Sequence, residues 1–236
     1  MNLKDELTSL YNSLLEKNEV EGLAFLAERF AGEIVFSTSF GLEDQVITHL
    51  ILDNHIPISI FTLDTGRLFS ETYSVWESTD ERYNTHITPY YPNNQAIEKY
   101  VNDNGPLSFY KSVDLRKECC HIRKVEPLIR ALAGKKVWVT GLRAEQSNAR
   151  KDLPILEWDD TYHLYKYNPL LHWTFEETQV FIKQHNIPYN VLHDKGFVSI
   201  GCAPCTRAIK EGEDFRAGRW WWESNSKKEC GLHEHK

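Results

Sequence analysis

The cysteines of this chain form two close pairs and one isolated residue. Cys119 and Cys120 are adjacent, Cys202 and Cys205 form a Cys-x-x-Cys pair, and Cys230 stands alone near the C-terminus. The Cys-x-x-Cys spacing is common in metal and iron–sulfur sites because a tight turn lets both thiolates face one point. This division suggests four ligands for one centre and a separate nucleophile.

The spacing alone leaves the nature of that centre open. Neighbouring side chains diverge on a helix and on a strand, so bringing Cys119 and Cys120 to one centre requires unusual backbone geometry. Zinc and an iron–sulfur cluster are equal alternatives. A third is a set of buried thiols without any ligand, since free cysteine is often a core residue.

The composition is that of a soluble globular protein, with 41% hydrophobic and 26% charged residues. No run approaches the roughly 18 apolar residues that a membrane span needs, and the N-terminus lacks the apolar segment of a signal peptide. We therefore expect a reducing, cytoplasmic location, where cysteines are more often ligands or catalysts than disulfides. The net charge of −7 argues against nucleic-acid binding.

Positive charge is concentrated around the cysteines even though the whole chain is acidic. The basic residues there are Arg116, Lys117, Arg123, Lys124, Arg207, Lys210, Arg216 and Arg219. They suit a small anionic ligand, and the alternative is a solvated surface.

Predicted strands alternate with helices along the chain. Strands are predicted at 34–36, 58–61, 85–88 and 136–140, followed by a hairpin within 154–167 and a capping box that opens a helix at Thr174. Pro127 should kink the helix after the first cysteines or begin a new segment. This order predicts a three-layer α/β/α fold with a mostly parallel sheet. We expect one domain over residues 1–221 and a mobile tail, 222–236, that carries Cys230.

A loop of small polar residues lies between the first predicted strand and its helix. Ser37, Thr38 and Ser39 offer hydroxyl groups there, and Gly41 lets a ligand approach the backbone. The N-terminus of a helix at the end of a strand is a natural anion site. The loop matches neither the Walker A pattern nor the dinucleotide fingerprint, so a simple helix cap remains an alternative.

Six short motifs follow one another along the chain: 37–44 (STSFGLED), 63–67 (LDTGR), 119–128 (CCHIRKVEPL), 141–147 (GLRAEQS), 202–205 (CAPC) and 229–233 (ECGLH). In this order they resemble the motifs of the assimilatory adenylyl-sulfate reductases. These enzymes group with the 3′-phosphoadenylyl-sulfate reductases in the adenine-nucleotide α-hydrolase (PP-loop) superfamily. The resemblance runs from about Ile34 to the C-terminus.

The resemblance implies a thioredoxin-dependent enzyme that reduces adenylyl sulfate to sulfite and AMP through an S-sulfocysteine on Cys230. It implies one [4Fe–4S] cluster on Cys119, Cys120, Cys202 and Cys205. The sulfate-side contacts that it implies are Lys124, Arg216, Arg219 and His233, with Arg143 beside the phosphosulfate. The implied nucleotide pocket comprises Ser37, Thr38, Ser39, Gly41, Asp64, Thr65, Gly66 and Arg67.

Other activities and partners stay open at this point. The substrate could be the 3′-phosphorylated form, or both forms could serve. From another class, the chain could be a nucleotide-binding iron–sulfur regulator, although loss of Cys230 would be expected there. The electron donor is expected to be thioredoxin or a glutaredoxin-like dithiol protein, and the chain could form a homo-oligomer.

Overall fold

The computed structural model describes residues 3–147 and 150–223 of the chain. The chain forms two compact units, each assembled from three segments. The first unit comprises Met1–Phe61, Ser74–Ile87 and Gly134–Asn190, and the second comprises Thr62–Tyr73, Thr88–Ala133 and Val191–Lys236. The units interleave along the sequence, and the expectation of a single domain over 1–221 stays a prediction.

Helices and strands alternate as the sequence predicts. The helices are α1 (Leu3–Leu15), α2 (Glu19–Arg29), α3 (Leu42–Asp53), α4 (Ser70–Tyr83), α5 (Asn94–Asn104), α6 (Val113–Cys120), α7 (Glu126–Leu132) and α8 (Phe175–Gln184). The strands are β1 (Ile34–Thr38), β2 (Ser59–Leu63), β3 (Thr88–Tyr90), β4 (Val137–Val139), β5 (Leu156–Asp159) and β6 (Leu164–Tyr167).

One sheet contains all six of these strands, in the order β3-β2-β1-β4-β6-β5. Strand β4 runs parallel to both β1 and β6, whereas β5 runs antiparallel to β6 at the edge. The predicted mostly parallel sheet with an appended hairpin, and with it the α/β/α fold class, is confirmed. In such sheets ligands bind beyond the carboxyl ends of the strands, which directs attention to the residues after β1 and β4.

The core of the first unit forms on one face of the sheet. Ile34 and Phe36 on β1 and Val137 and Val139 on β4 point to this face and are almost fully buried. Leu26 of α2 packs into the same cluster. Val35 and Trp138, which alternate with these residues and point to the opposite face, are buried as well. Both faces of the central strands are therefore covered, as expected for a parallel sheet with helices on both sides.

The third predicted strand lies later in the chain than expected. The structure begins β3 at Thr88, so of the predicted segment 85–88 only the last residue is in a strand. Two N–H groups of the predicted segment bind Asp80, near the end of α4. The Thr85 N–H donates to the Asp80 carbonyl, and the Ile87 N–H donates to the Asp80 carboxylate. Since those donors are already bound, the segment cannot pair as a strand there.

The second unit has a smaller core in which aromatic rings surround thiols. Tyr100, Phe109 and Trp220 pack with three of the cysteines in one buried cluster. Over residues 3–147 and 150–223, the structure contains no helix that is both long and apolar enough to cross a membrane.

Candidate active site

The second unit brings together the four cysteines predicted to be ligands. All four are free thiols, of which Cys119, Cys202 and Cys205 are buried and Cys120 is half-buried. Electrostatic interactions link them in a chain, from Cys119 to Cys202, from Cys202 to Cys205 and from Cys205 to Cys120. The two pairs therefore form one thiol cluster although about eighty residues separate them in the sequence.

The first pair lies where a helix changes its winding. Cys119 and Cys120 end α6, and residues His121–Val125 continue as a π-helical segment before α7 begins. Pro127 accounts for the change, because it has no N–H to donate and its ring clashes with the carbonyl four residues earlier. Such widened turns are frequent at functional sites. The two cysteines themselves lie in ordinary α-helix, and the unusual backbone begins at the next residue, His121.

The second pair is held by a tight turn. Cys202 caps a short 3₁₀ helix, Ala203–Cys205, and its carbonyl accepts from the Cys205 N–H at 2.9 Å. The Thr206 hydroxyl donates to the same carbonyl, also at 2.9 Å. Pro204 fits this first turn because the missing N–H is not needed there. The turn therefore directs both thiols toward the cluster.

The turn after β2 packs directly against the second pair. Thr65 Oγ1 lies 3.2 Å from Cys202 Sγ, and the Arg67 carbonyl accepts from the Ala203 N–H at 2.8 Å. Gly66 has a φ of +67°, a conformation that favours glycine. The sequence assigned this turn to the nucleotide pocket by resemblance, and the structure adds contacts with the cysteines.

Asp64, at the start of the same turn, is buried and fully engaged. Its carboxylate accepts from the Gly66 N–H at 2.8 Å and from the Tyr73 hydroxyl at 2.9 and 3.0 Å. Burial, together with the hydrogen bond to Asp64, raises the pKa of Tyr73 to about 12. The Asp64 carboxylate therefore stabilises the turn through these hydrogen bonds.

Two of the four thiols are harder to ionise than a free cysteine. Burial and the charges of Cys202 and Cys120 raise the pKa of Cys205 to about 12. Burial also raises the pKa of Cys119. Metal ligands must be thiolates, and a cation held between the sulfurs would oppose these two shifts.

Nearby basic side chains favour the charged, thiolate form of these cysteines. Those acting on the thiols are Arg67 and Arg123 on Cys119, Arg116 on Cys120, and Lys124 and Arg219 on Cys205. The sequence indicated this concentration of charge but assigned no role to Arg116 or Arg123. Arg123 Nη1 also donates to the Thr65 carbonyl at 2.6 Å, which fixes the turn beside the cysteines.

Trp220 organises three of the arginines of this unit. The guanidinium groups of Arg116, Arg219 and Arg216 lie 4.6, 4.9 and 6.0 Å from its ring. The indole itself is 1% exposed. Cation–π contacts of this kind hold guanidinium groups away from solvent. Gly201 completes the site, because a Cβ atom there would lie 2.5 Å from Arg219 Nη2.

Four thiols are the donors that both iron–sulfur clusters and structural zinc sites use. Within the part of the chain that the structure describes, no three His, Cys, Asp or Glu side chains are placed to hold a single metal ion. The number and type of donors therefore match either kind of centre, but the thiols as placed do not form a site for one ion.

In the first unit, the predicted anion-binding residues lie at the end of β1, which includes Ser37 and Thr38, and in the short loop that follows it. Gly41 is the N-cap of α3 and has an ordinary φ of −72°; Phe40 instead adopts the left-handed conformation, with a φ of 59°. The Thr38 hydroxyl accepts from the Phe40 N–H at 3.0 Å, and the Ser37 hydroxyl accepts from the Trp138 indole at 2.8 Å. The Thr38 hydroxyl therefore stabilises the loop, and the Ser37 hydroxyl joins β1 to β4.

Arg143 is fully buried in the same unit. Its Nε donates to Glu43 and its Nη1 to Glu145, each at 2.8 Å. The resemblance places Arg143 beside the phosphosulfate, and in this structure two carboxylates hold it. The remaining predicted site residues, Cys230 and His233, lie outside the described residues.

Comparison with known proteins identifies the family. Residues 33–208 match the model of the phosphoadenosine phosphosulfate reductase domain. The chain belongs to this family. It is 52% identical to the adenosine 5′-phosphosulfate reductase of Allochromatium vinosum, over 95% of this chain and 89% of that one. It is 50% identical to the enzyme of the same name from Burkholderia cepacia, over 89% and 84% of the two chains.

A solved structure agrees with this assignment. The phosphoadenylyl-sulfate reductase of Candida auris, in a phosphate complex, superposes with a TM-score of 0.74. The match covers 89% of this chain and 98% of that one, at 26% identity. The resemblance seen in the sequence motifs is therefore confirmed at the level of family and fold.

Proposed function

We propose that this chain reduces adenylyl sulfate to sulfite and AMP in the cytoplasm. The observation that carries the proposal is the single thiol cluster with its surrounding arginines and lysine, in a chain about half identical to enzymes named for this reaction. If those four cysteines are ligands, Cys230 is the remaining thiol.

Cys119, Cys120, Cys202 and Cys205 would hold one [4Fe–4S] cluster. When bound, the cluster would supply the positive iron charges that keep the four sulfurs as thiolates. The basic residues around the cysteines would stabilise the thiolates further. Thr65 would orient Cys202 through the contact between its hydroxyl and the sulfur.

Cys230 would act as the nucleophile. Its thiolate attacks the sulfur of the bound sulfate, an S–S bond forms, and the S–O bond of the mixed anhydride breaks. AMP leaves with the bridging oxygen and the electron pair of that bond, and the enzyme carries an S-sulfocysteine. Lys124, Arg216, Arg219 and His233 would stabilise charge on the sulfate oxygens during this step, with Arg143 beside the phosphosulfate.

A dithiol protein would complete the reaction. One of its thiolates attacks the Cys230 sulfur, sulfite leaves, and a mixed disulfide forms. The second thiol then resolves that disulfide, so that the donor supplies both electrons and ends as a disulfide. Thioredoxin or a glutaredoxin-like protein has the required Cys-x-x-Cys chemistry.

The nucleotide would bind the loop after β1 and the turn after β2, at Ser37, Thr38, Ser39 and Gly41 and at Asp64, Thr65, Gly66 and Arg67. The N-terminus of α3 favours a phosphate there. Adenylyl sulfate is the preferred substrate in this proposal, since the relatives at about half identity are named for it. A homo-oligomer is compatible with this reaction.

The test is anaerobic purification, iron and sulfide analysis, and measurement of sulfite release. The protein should contain about four irons and four sulfides per chain. It should release sulfite from adenylyl sulfate only when a dithiol donor is present. Iron-replete protein that binds the nucleotide but releases no sulfite would support the regulator alternative instead. Stoichiometric zinc without sulfide would reject the cluster.

A further inference from the structure

A buried ion pair joins α6 to the last described residue of the chain. Arg116 donates from Nε and Nη2 to the two carboxylate oxygens of Glu223, at 2.9 and 3.1 Å. Their side chains are only 4% and 5% exposed. Two-point pairs of this kind fix orientation as well as distance. A buried charge that loses its partner is strongly destabilising, so neither side chain separates readily.

Arg116 also contacts the thiol cluster. Its guanidinium forms a side-chain hydrogen bond with Cys120 and lies 4.6 Å from the Trp220 ring. The Arg116 side chain therefore connects Cys120 at the end of α6 with Glu223, which lies 107 positions after Arg116 in the sequence.

The position of Glu223 limits where Cys230 can act. Cys230 follows Glu223 by seven residues, and a chain of that length spans at most about 25 Å when fully extended. The thiol is therefore tethered to the neighbourhood of the point where Glu223 is held. A reaction between tethered groups depends steeply on where the tether is attached.

A second Arg–Glu pair in the same unit shows what sets Arg116–Glu223 apart. Arg207 and Glu213 also form a two-point pair, at 2.8 and 3.0 Å. That pair is about one-third exposed and joins residues six positions apart, so it closes a local loop and contributes little to stability. It has the same chemistry as the buried pair but no link to a cysteine.

We propose that the Arg116–Glu223 pair positions the C-terminal segment for sulfonate transfer by anchoring its first residue to the side of the thiol cluster. Arg116 is a positioning residue, since it acts through Glu223 and Cys120 and not on the substrate. This inference rests on the proposed function, in which Cys230 is the nucleophile. It adds a role for two residues outside the predicted site.

The test uses the full-length, iron-loaded protein under anaerobic conditions. Glu223→Gln removes the negative charge, and the double variant Arg116→Met/Glu223→Leu replaces the pair with apolar groups, which folded proteins often tolerate. Glu213→Gln is the matched control. Single-turnover formation of S-sulfocysteine at Cys230 is followed by mass spectrometry with adenylyl sulfate and no dithiol. Iron content, substrate affinity and the rate of Cys230 alkylation by iodoacetamide are measured alongside.

Loss of the anchor should slow sulfonate transfer by about 10- to 100-fold. In the Glu223→Gln protein, which keeps Arg116 beside Cys120, substrate affinity, iron content and the alkylation rate should match the wild type. The double variant lacks that arginine and is therefore compared with the wild type only after its iron content has been restored. The Glu213→Gln protein should react at the wild-type rate.

Transfer at the wild-type rate in an iron-replete double variant would overturn the inference. So would a loss of rate that follows iron content and disappears when iron is restored, since the pair would then be purely structural. A wild-type protein that forms no S-sulfocysteine at all would reject the proposed function itself.

Discussion

The Asp44 carboxylate accepts two hydrogen bonds from Ser39, one from the backbone N–H at 2.6 Å and one from the hydroxyl at 2.7 Å. The sequence predicted that the Ser39 hydroxyl would donate to a bound anion. In the structure it donates to Asp44 in the first turn of α3. Burial raises the pKa of Asp44 from 3.8 to about 6, although the two Ser39 bonds lower it. The first turn of α3 thus contains a carboxyl group with a pKa of about 6.

Asp44→Asn should remove a pH dependence of stability. Because the pKa is higher in the folded chain, protonation of Asp44 favours folding; this contribution is full below about pH 4 and is lost as the pH rises through about 6. Above that pH, the ionised Asp44 carboxylate lowers the free energy of unfolding by about 3 kcal/mol. Urea unfolding of both proteins between about pH 4 and 7 measures the difference. Parallel profiles would contradict the prediction.

Gly201→Ala should impair catalysis by displacing Arg219. The added Cβ atom would lie 2.5–2.8 Å from three atoms of the guanidinium, so the arginine must leave its place over Trp220. Loss of one charge-assisted contact should lower kcat/KM for adenylyl sulfate by about tenfold or more. The iron content should be retained.

The control for this prediction is a double-mutant cycle with Arg219→Ala. If Gly201→Ala acts through Arg219, the double variant should be no worse than Arg219→Ala alone. Losses of free energy that simply add would show that the alanine acts elsewhere.

The sequence predicted the elements formed by local pattern. Short runs of mainly apolar residues placed β1 and β4, and the capping box at Thr174 is present as predicted, with its hydroxyl accepting from the Glu177 N–H. Pro127 begins a new helical segment, also as predicted. These features depend on neighbouring residues, so a sequence displays them directly.

Long-range partners could not be predicted in the same way. The sequence shows the basic residues near the cysteines but not that Arg116 pairs with Glu223, because contacts between distant residues leave no local pattern. Arg143 is a similar case: its motif marks it as functional, yet its two glutamate partners appear only in the fold. The left-handed backbone conformation of Phe40 could not be predicted either, since aromatic residues rarely adopt it.

Cys230→Ser should abolish sulfite formation and leave the cluster intact. The four clustered thiols would still hold iron, so the brown colour and nucleotide binding should persist. Replacing Cys202 or Cys205 should have the opposite effect and release iron, because each removes a ligand. Iron analysis and sulfite assays on the three variants check this. A colourless Cys230→Ser protein would show that the ligands are wrongly assigned.

The resolving thiol should come from a second protein. If four cysteines are ligands, Cys230 has no partner cysteine in this sequence. A thioredoxin whose second active-site cysteine is changed to serine should therefore form a stable mixed disulfide with Cys230 of the S-sulfonated enzyme. Non-reducing gels and peptide mapping would reveal the adduct. An internal disulfide formed during turnover would contradict the prediction.

Adenylyl sulfate should be preferred over its 3′-phosphorylated form. The two substrates differ by one phosphate group, which adds about two negative charges. A pocket without a matching arginine or lysine must remove water from that group without replacing its contacts, and affinity falls. Relatives at about half identity are named for adenylyl sulfate, whereas the structural neighbour at 26% identity is named for the phosphorylated form. The measurement is kcat/KM for both substrates, with iron-replete enzyme and saturating thioredoxin. An equal or higher kcat/KM for the phosphorylated substrate would overturn the prediction.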